Sequence, residues 1–409
     1  PYYQPDFEVL AKRVIQEVNN GTLNNQQYLS LINGVCALSE EGHFSLTNWT
    51  DTIYKGFLNN TYAYLPLAVV HVQGTWYIWD DFSAEQGLQR GDVLMAINDQ
   101  PMAAIVNQLL RATPVDGKIE PHAYNKVQEG FARLYLFHIE QPNAFKIDYL
   151  DAEKKPQSIQ LKALTKAQQI DNIKQRPKKN QPPSTTPTSP PEAFYYLDYK
   201  AQYALLTLPS FSRKKVERYH IKSKRFYRTL FQAFRQKGVQ NLVIDLRNNT
   251  GGRNELADHM VHFILKPDHQ TPFLKKTISW KGQVKTYRLP KPSKNRFEGT
   301  VYLLINNKTY SAGSALARYL KEYADAIVIG EETGTRYDGF AAGSRQTITL
   351  PHSGIRIGIP RFHILFPPAL QNYVPNRGVV PNYPVRYTFE DLLAGRDLEL
   401  EMVEALMAK

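Results

Sequence analysis

The sequence predicts an α/β core with a mixed sheet and helices, preceded by a smaller β-rich domain and a small helical N-terminal segment. Three observations lead there. Past Ala193, short buried apolar runs alternate with helical patterns. From Tyr64 to about residue 165 the texture is one of short β-rich runs broken by glycine turns. Before that, Phe7, Leu10, Val14 and Val18 recur at helical spacing ahead of an Asn19-Asn20-Gly21 stop. With 409 residues and 46.9 kDa the chain is long enough for two or three domains with interiors of their own.

The helical reading extends from Asp6 to about Tyr62, so residues 1–63 form the first unit. In the second unit, 64–165, Leu65 to Val72 and Thr75 to Trp79 read as strands around a Gln73-Gly74 turn. Next comes Gly87-Leu-Gln-Arg-Gly-Asp-Val-Leu-Met-Ala-Ile-Asn-Asp-Gln-Pro-Met102: a turn at Gly91-Asp92, a strand over Val93 to Ile97 and a second turn at Asn98-Asp99. Arg111 to Glu140 reads as added helix. Residues 166–192 hold almost no apolar side chains in their proline-rich stretch and are expected to be a flexible linker or loop. In the last unit, 193–409, strands are expected at Tyr203 to Leu208, Asn241 to Leu246, Thr300 to Ile305 and Ala326 to Ile329, with a basic amphipathic helix between the first two. Further helices are expected over Asn254 to Leu265 and Ala312 to Tyr323.

Composition excludes several function classes. With 42% hydrophobic, 12% aromatic and 22% charged residues, the chain has the makeup of a globular protein, and no run approaches the length of a membrane span. The lone Cys36 cannot close an intrachain disulfide and reads as core packing. The net charge of +12 and pI near 9.4 would suit a polyanion, but the surplus falls in separate clusters, Lys174 to Lys179, Arg213 to Arg225 and Lys275 to Arg296. No nucleic-acid motif accompanies them, so no nucleic-acid partner is expected. The chain opens Pro-Tyr-Tyr-Gln-Pro without an initiator Met, which reads as a processed or a trimmed form and leaves export open; an exported location, periplasmic or extracellular, is the expectation. No cluster has metal-ligand spacing and no phosphate-cradling loop appears, so neither metal nor cofactor is expected.

Two motifs can carry chemistry. In Val243-Ile-Asp-Leu-Arg-Asn-Asn-Thr-Gly-Gly252 a buried strand ends in a polar turn whose glycines let the backbone approach a ligand, and a helix follows. In Val301-Tyr-Leu-Leu-Ile-Asn-Asn-Lys-Thr-Tyr-Ser-Ala-Gly-Ser-Ala-Leu-Ala317 a strand runs through a short turn into a helix, a geometry that lifts a serine hydroxyl to the top of a sheet. Ser311 sits at the turn; Ser314 falls within the first helical turn, where a cap or packing role suffices.

The Asp-Leu-Arg-x-Asn-x-Gly-Gly string and Thr309-Tyr-Ser-Ala-Gly-Ser together resemble the C-terminal-processing, or tail-specific, and tricorn-like serine peptidases. Val328 to Gly334, Leu350 to Gly354, Arg377 to Val385 and Asp391 to Asp397 are similar to the same family in order and spacing, and residues 87–102 resemble the central stretch of a PDZ domain. The resemblance implies a ClpP- and crotonase-like catalytic core, a serine endopeptidase activity, and Ser311 as nucleophile. It further implies an oxyanion hole from Gly252 or Gly251, with Gly252 slightly favoured, together with the amide of Ala312. A polypeptide substrate follows; the PDZ-like domain either recognises its C-terminus through strand addition or only packs against the core.

The general base divides the family. One branch uses a lysine after Gly-Glu-x-Thr, where this chain has Arg336, which stays protonated and cannot serve. The tricorn-like branch uses a histidine ahead of the PDZ module, and Glu40-Glu-Gly-His43-Phe-Ser-Leu46 resembles its Asp-Gly-His-Thr segment, so His43 is the expected base, titrating near neutrality. His259, His352 and His363 have no such counterpart. The orienting carboxylate of the tricorn-like Glu-Asn-x-Gly string is missing, because the chain reads Pro375-Asn-Arg-Gly378; Glu41, Glu331 or a backbone carbonyl are the substitutes. The missing lysine and glutamate leave one rival, a peptide-binding scaffold of the same fold without catalysis.

Overall fold

A computed structural model describes residues 12, 15, 16, 21, 23, 25–46, 60–176, 193–267, 269, 271, 273–351, 353–369 and 373–408. Most of the first expected helix, including Phe7, Leu10, Val14 and Val18, lies outside the described residues, as do the proline-rich stretch from 177 and His352. The described N-terminal part contains helix α1 (Asn25–Ala37) and a two-residue strand β1 (Ser45–Leu46). The uniformly helical reading up to Tyr62 therefore needs correction, because the chain past His43 is recruited as an edge strand of a sheet built by the far end of the sequence. Leu29 and Cys36 are buried in a small cluster with Leu46, Leu136 and Phe137.

The next unit is a sheet in the order β2-β3-β4-β6-β7, made of β2 (Leu67–Val72), β3 (Thr75–Asp81), β4 (Val93–Ile97), β6 (Ala144–Leu150) and β7 (Pro156–Lys162), with β5 (Gln100–Pro101) paired to β4. Two helices, α2 (Met102–Arg111) and α3 (Glu120–His138), cover it. Alternation decides the faces: Leu67, Val69, Trp76 and Ile78 point inward and meet Ile105, Leu109, Val127 and Phe131 of the helices. The loop between α2 and α3, residues 112–119, reaches out of this unit toward the core described next. Where flexible chain is expected from 166, the structure has a helix instead, α4 (Lys166–Gln175). A capping box of Thr165 and Gln168 starts it, and just beyond its end Arg176 is buried against Asp80 at 2.8 Å.

The main core is a six-stranded sheet in the order β17-β14-β13-β10-β9-β8, comprising β8 (Tyr196–Tyr199), β9 (Ala204–Thr207), β10 (Asn241–Asp245), β13 (Thr300–Ile305), β14 (Ile327–Gly330) and β17 (Tyr383–Pro384). All neighbours are parallel except β8 against β9. Ile244, Leu303 and Ile305 face α6 (Ser223–Gln236), α7 (Asn254–Ile264) and α8 (Ala312–Ala324); Val243, Tyr302 and Leu304 face α10 (Leu398–Met407). A short α5 (Arg213–Arg218) precedes α6, and α9 (Phe389–Ala394) precedes α10. A further sheet is layered on this core: β11 (Phe273–Ser279), β12 (Val284–Arg288), β15 (Gly339–Thr349) and β16 (Arg356–Leu365), with β1 added to β16. The pairing of Ser45 with Gly358 and of Leu46 with Ile357 brings the segment before the second unit onto the core after it.

Candidate active site

Ser311 stands where β13 turns into α8. Thr309 braces the turn, its hydroxyl donating to the Leu246 carbonyl at 2.8 Å, while the Tyr310 N–H donates to the Asn249 carbonyl at 2.9 Å. The result is a serine with φ 54° and ψ −121°, a left-handed conformation that a side-chain-bearing residue holds only when its surroundings enforce it. Its own N–H donates to the Thr335 hydroxyl at 2.7 Å. Ser314 is buried one turn on and donates to the Thr309 carbonyl at 2.8 Å, which accounts for it as a packing residue.

His43 Nε2 lies 3.1 Å from Ser311 Oγ, across 268 positions of sequence. Three contacts hold the loop that carries it. The Gly42 N–H donates to Asp116 Oδ1 at 2.5 Å, the Gly117 N–H donates to the Glu40 carbonyl at 2.9 Å, and Glu41 forms an ion pair with Arg336 while accepting the Ala341 N–H at 2.9 Å. The imidazole stacks on Tyr310 at 4.8 Å and on Phe340 at 5.7 Å.

The other ring nitrogen contacts neither Glu41 nor Glu331. Glu41 is committed to Arg336 and Ala341, and Glu331 accepts from Asn307 Nδ2 at 2.9 Å. Instead His43 Nδ1 faces the Tyr310 hydroxyl at 3.0 Å, and that hydroxyl lies 3.2 Å from Asp116 Oδ1. A carboxylate only accepts, so Tyr310 donates to Asp116 and His43 Nδ1–H donates to Tyr310. That tautomer leaves Nε2 bare toward the Ser311 hydroxyl. Asp116 is fully buried on the loop between α2 and α3, and its Oδ2 has no hydrogen-bond partner among the described residues. Neither Tyr310 nor Asp116 stands out in the sequence. The tyrosine sits inside a motif read for its serine, and the aspartate lies in a stretch read only as added helix. A carboxylate flanked by Pro114 and Gly117, where a helix pattern is interrupted, is the one signal that could have drawn attention to it.

Burial, with the charges of Arg345 and Lys126 nearby, pulls the His43 imidazole down to about 4. This corrects the expected titration near neutrality: the ring is neutral through the whole physiological range. Burial likewise pushes Asp116 up to about 6, against the Gly42 N–H bond and the charges of Arg336 and Lys126, and raises Glu41 against the pull of Arg336. Arg336 is thus a structural partner of the His43 loop.

Gly251 and Gly252 come up against this turn from the end of β10. Gly251 has φ +88°, and a Cβ there would lie 2.8 Å from both Ser311 Cβ and the Ala312 nitrogen. Its N–H donates to Asn249 Oδ1 at 2.8 Å. Gly252 has φ +138°, and a Cβ there would lie 2.0 Å from the Phe211 carbonyl oxygen. Ala312 opens α8, so its amide is one of the helix-initial N–H groups without an intrahelical acceptor. Of the other histidines weighed in the sequence, His259 Nδ1 lies 2.6 Å from the Ser223 hydroxyl and His363 is on β16.

A cavity of about 1630 Å³ opens between β2 and α3 on one side and Asn306, Asn307 and Arg377 on the other; it does not include Ser311 or His43 in its lining. Its β2 wall is, among the described residues, an edge of the second sheet, and there the His71 N–H already donates to Gln128 Oε1 of α3 at 2.8 Å.

Residues 202–385 match peptidase family S41. No curated protein sequence matches the chain. Among solved structures, mature CPAF aligns over 95% of this chain and 88% of its own with TM-score 0.61 at 14% identity. Mature CPAF complexed with lactacystin aligns over 98% and 92% with TM-score 0.64 at 13% identity. The photosystem II D1 C-terminal processing protease aligns over 90% and 83% with TM-score 0.41 at 14% identity.

Proposed function

We propose that this chain, whose residues 202–385 belong to peptidase family S41, hydrolyses peptide bonds through an acyl-enzyme on Ser311, with His43 as the general base. The observation that carries the reading is the 3.1 Å approach of His43 Nε2 to Ser311 Oγ, made by residues from opposite ends of the chain. A scaffold without catalysis has no use for a strained serine, a bare imidazole nitrogen and two adjacent glycines at one point.

Chemically, Ser311 Oγ attacks the substrate carbonyl as its proton passes to His43 Nε2. The Oγ–carbon bond forms, the carbonyl becomes an oxyanion, and the Gly252 and Ala312 amides donate to it. Gly252 is the better assignment than Gly251, since the Gly251 N–H is held by Asn249. The imidazolium then gives its proton to the departing amine, and water repeats the sequence to release the acid. Tyr310 and Asp116 orient the ring: the Tyr310 dipole, aligned by Asp116, meets the Nδ1–H and favours the imidazolium that forms in the transition state. The open edge of β2 supports recognition of the substrate C-terminus by a PDZ-like mode, which requires Gln128 to release the His71 amide.

The decisive experiment is reaction with a fluorophosphonate probe followed by mapping of the labelled residue. Labelling of Ser311 that disappears in His43→Ala supports the reading. Absence of labelling in a folded protein refutes it.

A further inference from the structure

The charge clusters that look scattered along the sequence are joined by the fold. Residues 213–237 carry ten Lys and Arg against one acidic residue, and residues 273–296 carry eight against none. Together they hold a net +17 where the whole chain holds +12, so the remainder is net acidic at −5. After β12 the chain crosses α7, with the Ser293 N–H donating to the His262 carbonyl at 2.6 Å. It then reaches α6, where Arg235 Nη1 donates to the Lys294 carbonyl at 2.9 Å. The C-terminal end of α6, with exposed Arg235 and Lys237, therefore meets the exposed Lys291 and Lys294 that follow β12, while Lys224, Arg225 and Arg228 are exposed along the same helix. Lys275, tied to Asp258 at 2.6 Å, belongs to the interior and not to this face.

The tip of that strand pair adds a second feature. Trp280 is 58% exposed and Val284 is 61% exposed, on either side of the Lys281-Gly282-Gln283 turn, with Lys281 Nζ lying 5.3 Å from the indole centroid. An apolar wedge with Lys281 against its indole costs stability in water. It matches the boundary between lipid headgroups and acyl chains, where indole sits favourably and basic side chains meet phosphate.

We infer that the α6 face and the β11–β12 tip form a docking surface for an anionic phospholipid membrane, holding the core peripherally against the bilayer. A nucleic acid would satisfy the charge and could stack on the indole, but it gains nothing from Val284. The surface is independent of the catalytic reading, because binding alone is read out.

The test is flotation of the full chain with vesicles of phosphatidylcholine alone and of phosphatidylcholine with 30% phosphatidylglycerol. Binding is expected only to the anionic vesicles. It should weaken steeply between 0.1 M and 1 M salt, as the screening length falls from about 10 Å to about 3 Å. Each basic residue near such a surface is worth about five-fold in partition. Reversing Arg225, Arg228, Lys281 and Lys285 to Glu should therefore weaken binding at least a hundred-fold, with the melting temperature unchanged. Trp280→Ser should weaken it several-fold and abolish the blue shift in fluorescence that anionic vesicles induce. The inference is overturned if the chain ignores anionic vesicles at low salt or if the charge-reversed variant binds as well as the native one. It is also overturned if a 20-base-pair DNA duplex outcompetes the vesicles at equal phosphate concentration.

Discussion

Replacing Tyr310 by Phe removes one oxygen atom and tests how the imidazole is held. The ring contacts with His43 at 4.8 Å and with His122 at 4.9 Å remain available to phenylalanine, so the packing of the turn is conserved. The lost atom bridges His43 Nδ1, 3.0 Å away, and Asp116 Oδ1, 3.2 Å away. In the transition state the bond from Nδ1 is charge-assisted, a class worth about 1.5–3 kcal/mol. At about 1.4 kcal/mol per decade, the acylation rate of Ser311 should fall about ten- to 150-fold. The assay is the second-order rate of fluorophosphonate labelling, which needs no knowledge of the natural substrate. Its pH dependence adds a second readout. Asp116, pushed up to about 6, is ionised above that pH and neutral below it, whereas His43, drawn down to about 4, stays unprotonated until well beneath. The native rate should therefore decline on the acid side in two steps, first near pH 6 as Asp116 ceases to polarise Tyr310, then near pH 4 as His43 gains its proton. Tyr310→Phe should lose the first step and keep the second. A labelling rate within two-fold of native, or a step near pH 6 that survives the substitution, would refute the orienting role.

Further substitutions separate chemistry from structure. Ser311→Ala should abolish labelling with an unchanged melting temperature, while Ser314→Ala should label at the native rate and lose about 1 kcal/mol in a denaturant titration, the worth of its buried bond to Thr309. Gly252→Ala should fail to accumulate as folded protein, seen by circular dichroism and yield, since its Cβ would lie 2.0 Å from the Phe211 carbonyl oxygen. Deleting residues 178–190 should shift the melting temperature little, because so polar and proline-rich a sequence has little apolar surface to bury and closure entropy varies slowly with length. Arg176→Ala, just before that stretch, should cost about 3 kcal/mol by leaving the half-buried Asp80 carboxylate without its 2.8 Å partner, a contrast visible in parallel thermal melts.

The sequence by itself determined the elements whose signal is local. Strands at Val93–Ile97 and Thr300–Ile305 appear with the expected bounds, because an apolar run between turn residues has one good solution. Ser311, Gly251, Gly252 and Ala312 are singled out by the resemblance of their strand-turn-helix strings to a family pattern, and the fold sets those two strings side by side. His43 is legible only through the company it keeps in Glu40-Glu-Gly-His43. The tertiary structure alone decided how that histidine is held, since Tyr310 and Asp116 are ordinary residues 194 positions apart and acquire meaning only when one loop folds against another. It alone decided the titration of His43, because desolvation depends on what covers the ring and not on what flanks it in the chain. It turned the start of an expected linker into α4, just past which the buried Arg176 finds a partner 96 positions away. And it brought two basic stretches into contact where Arg235 meets Lys294, because charge adds over distances in space that the linear order of residues does not reveal.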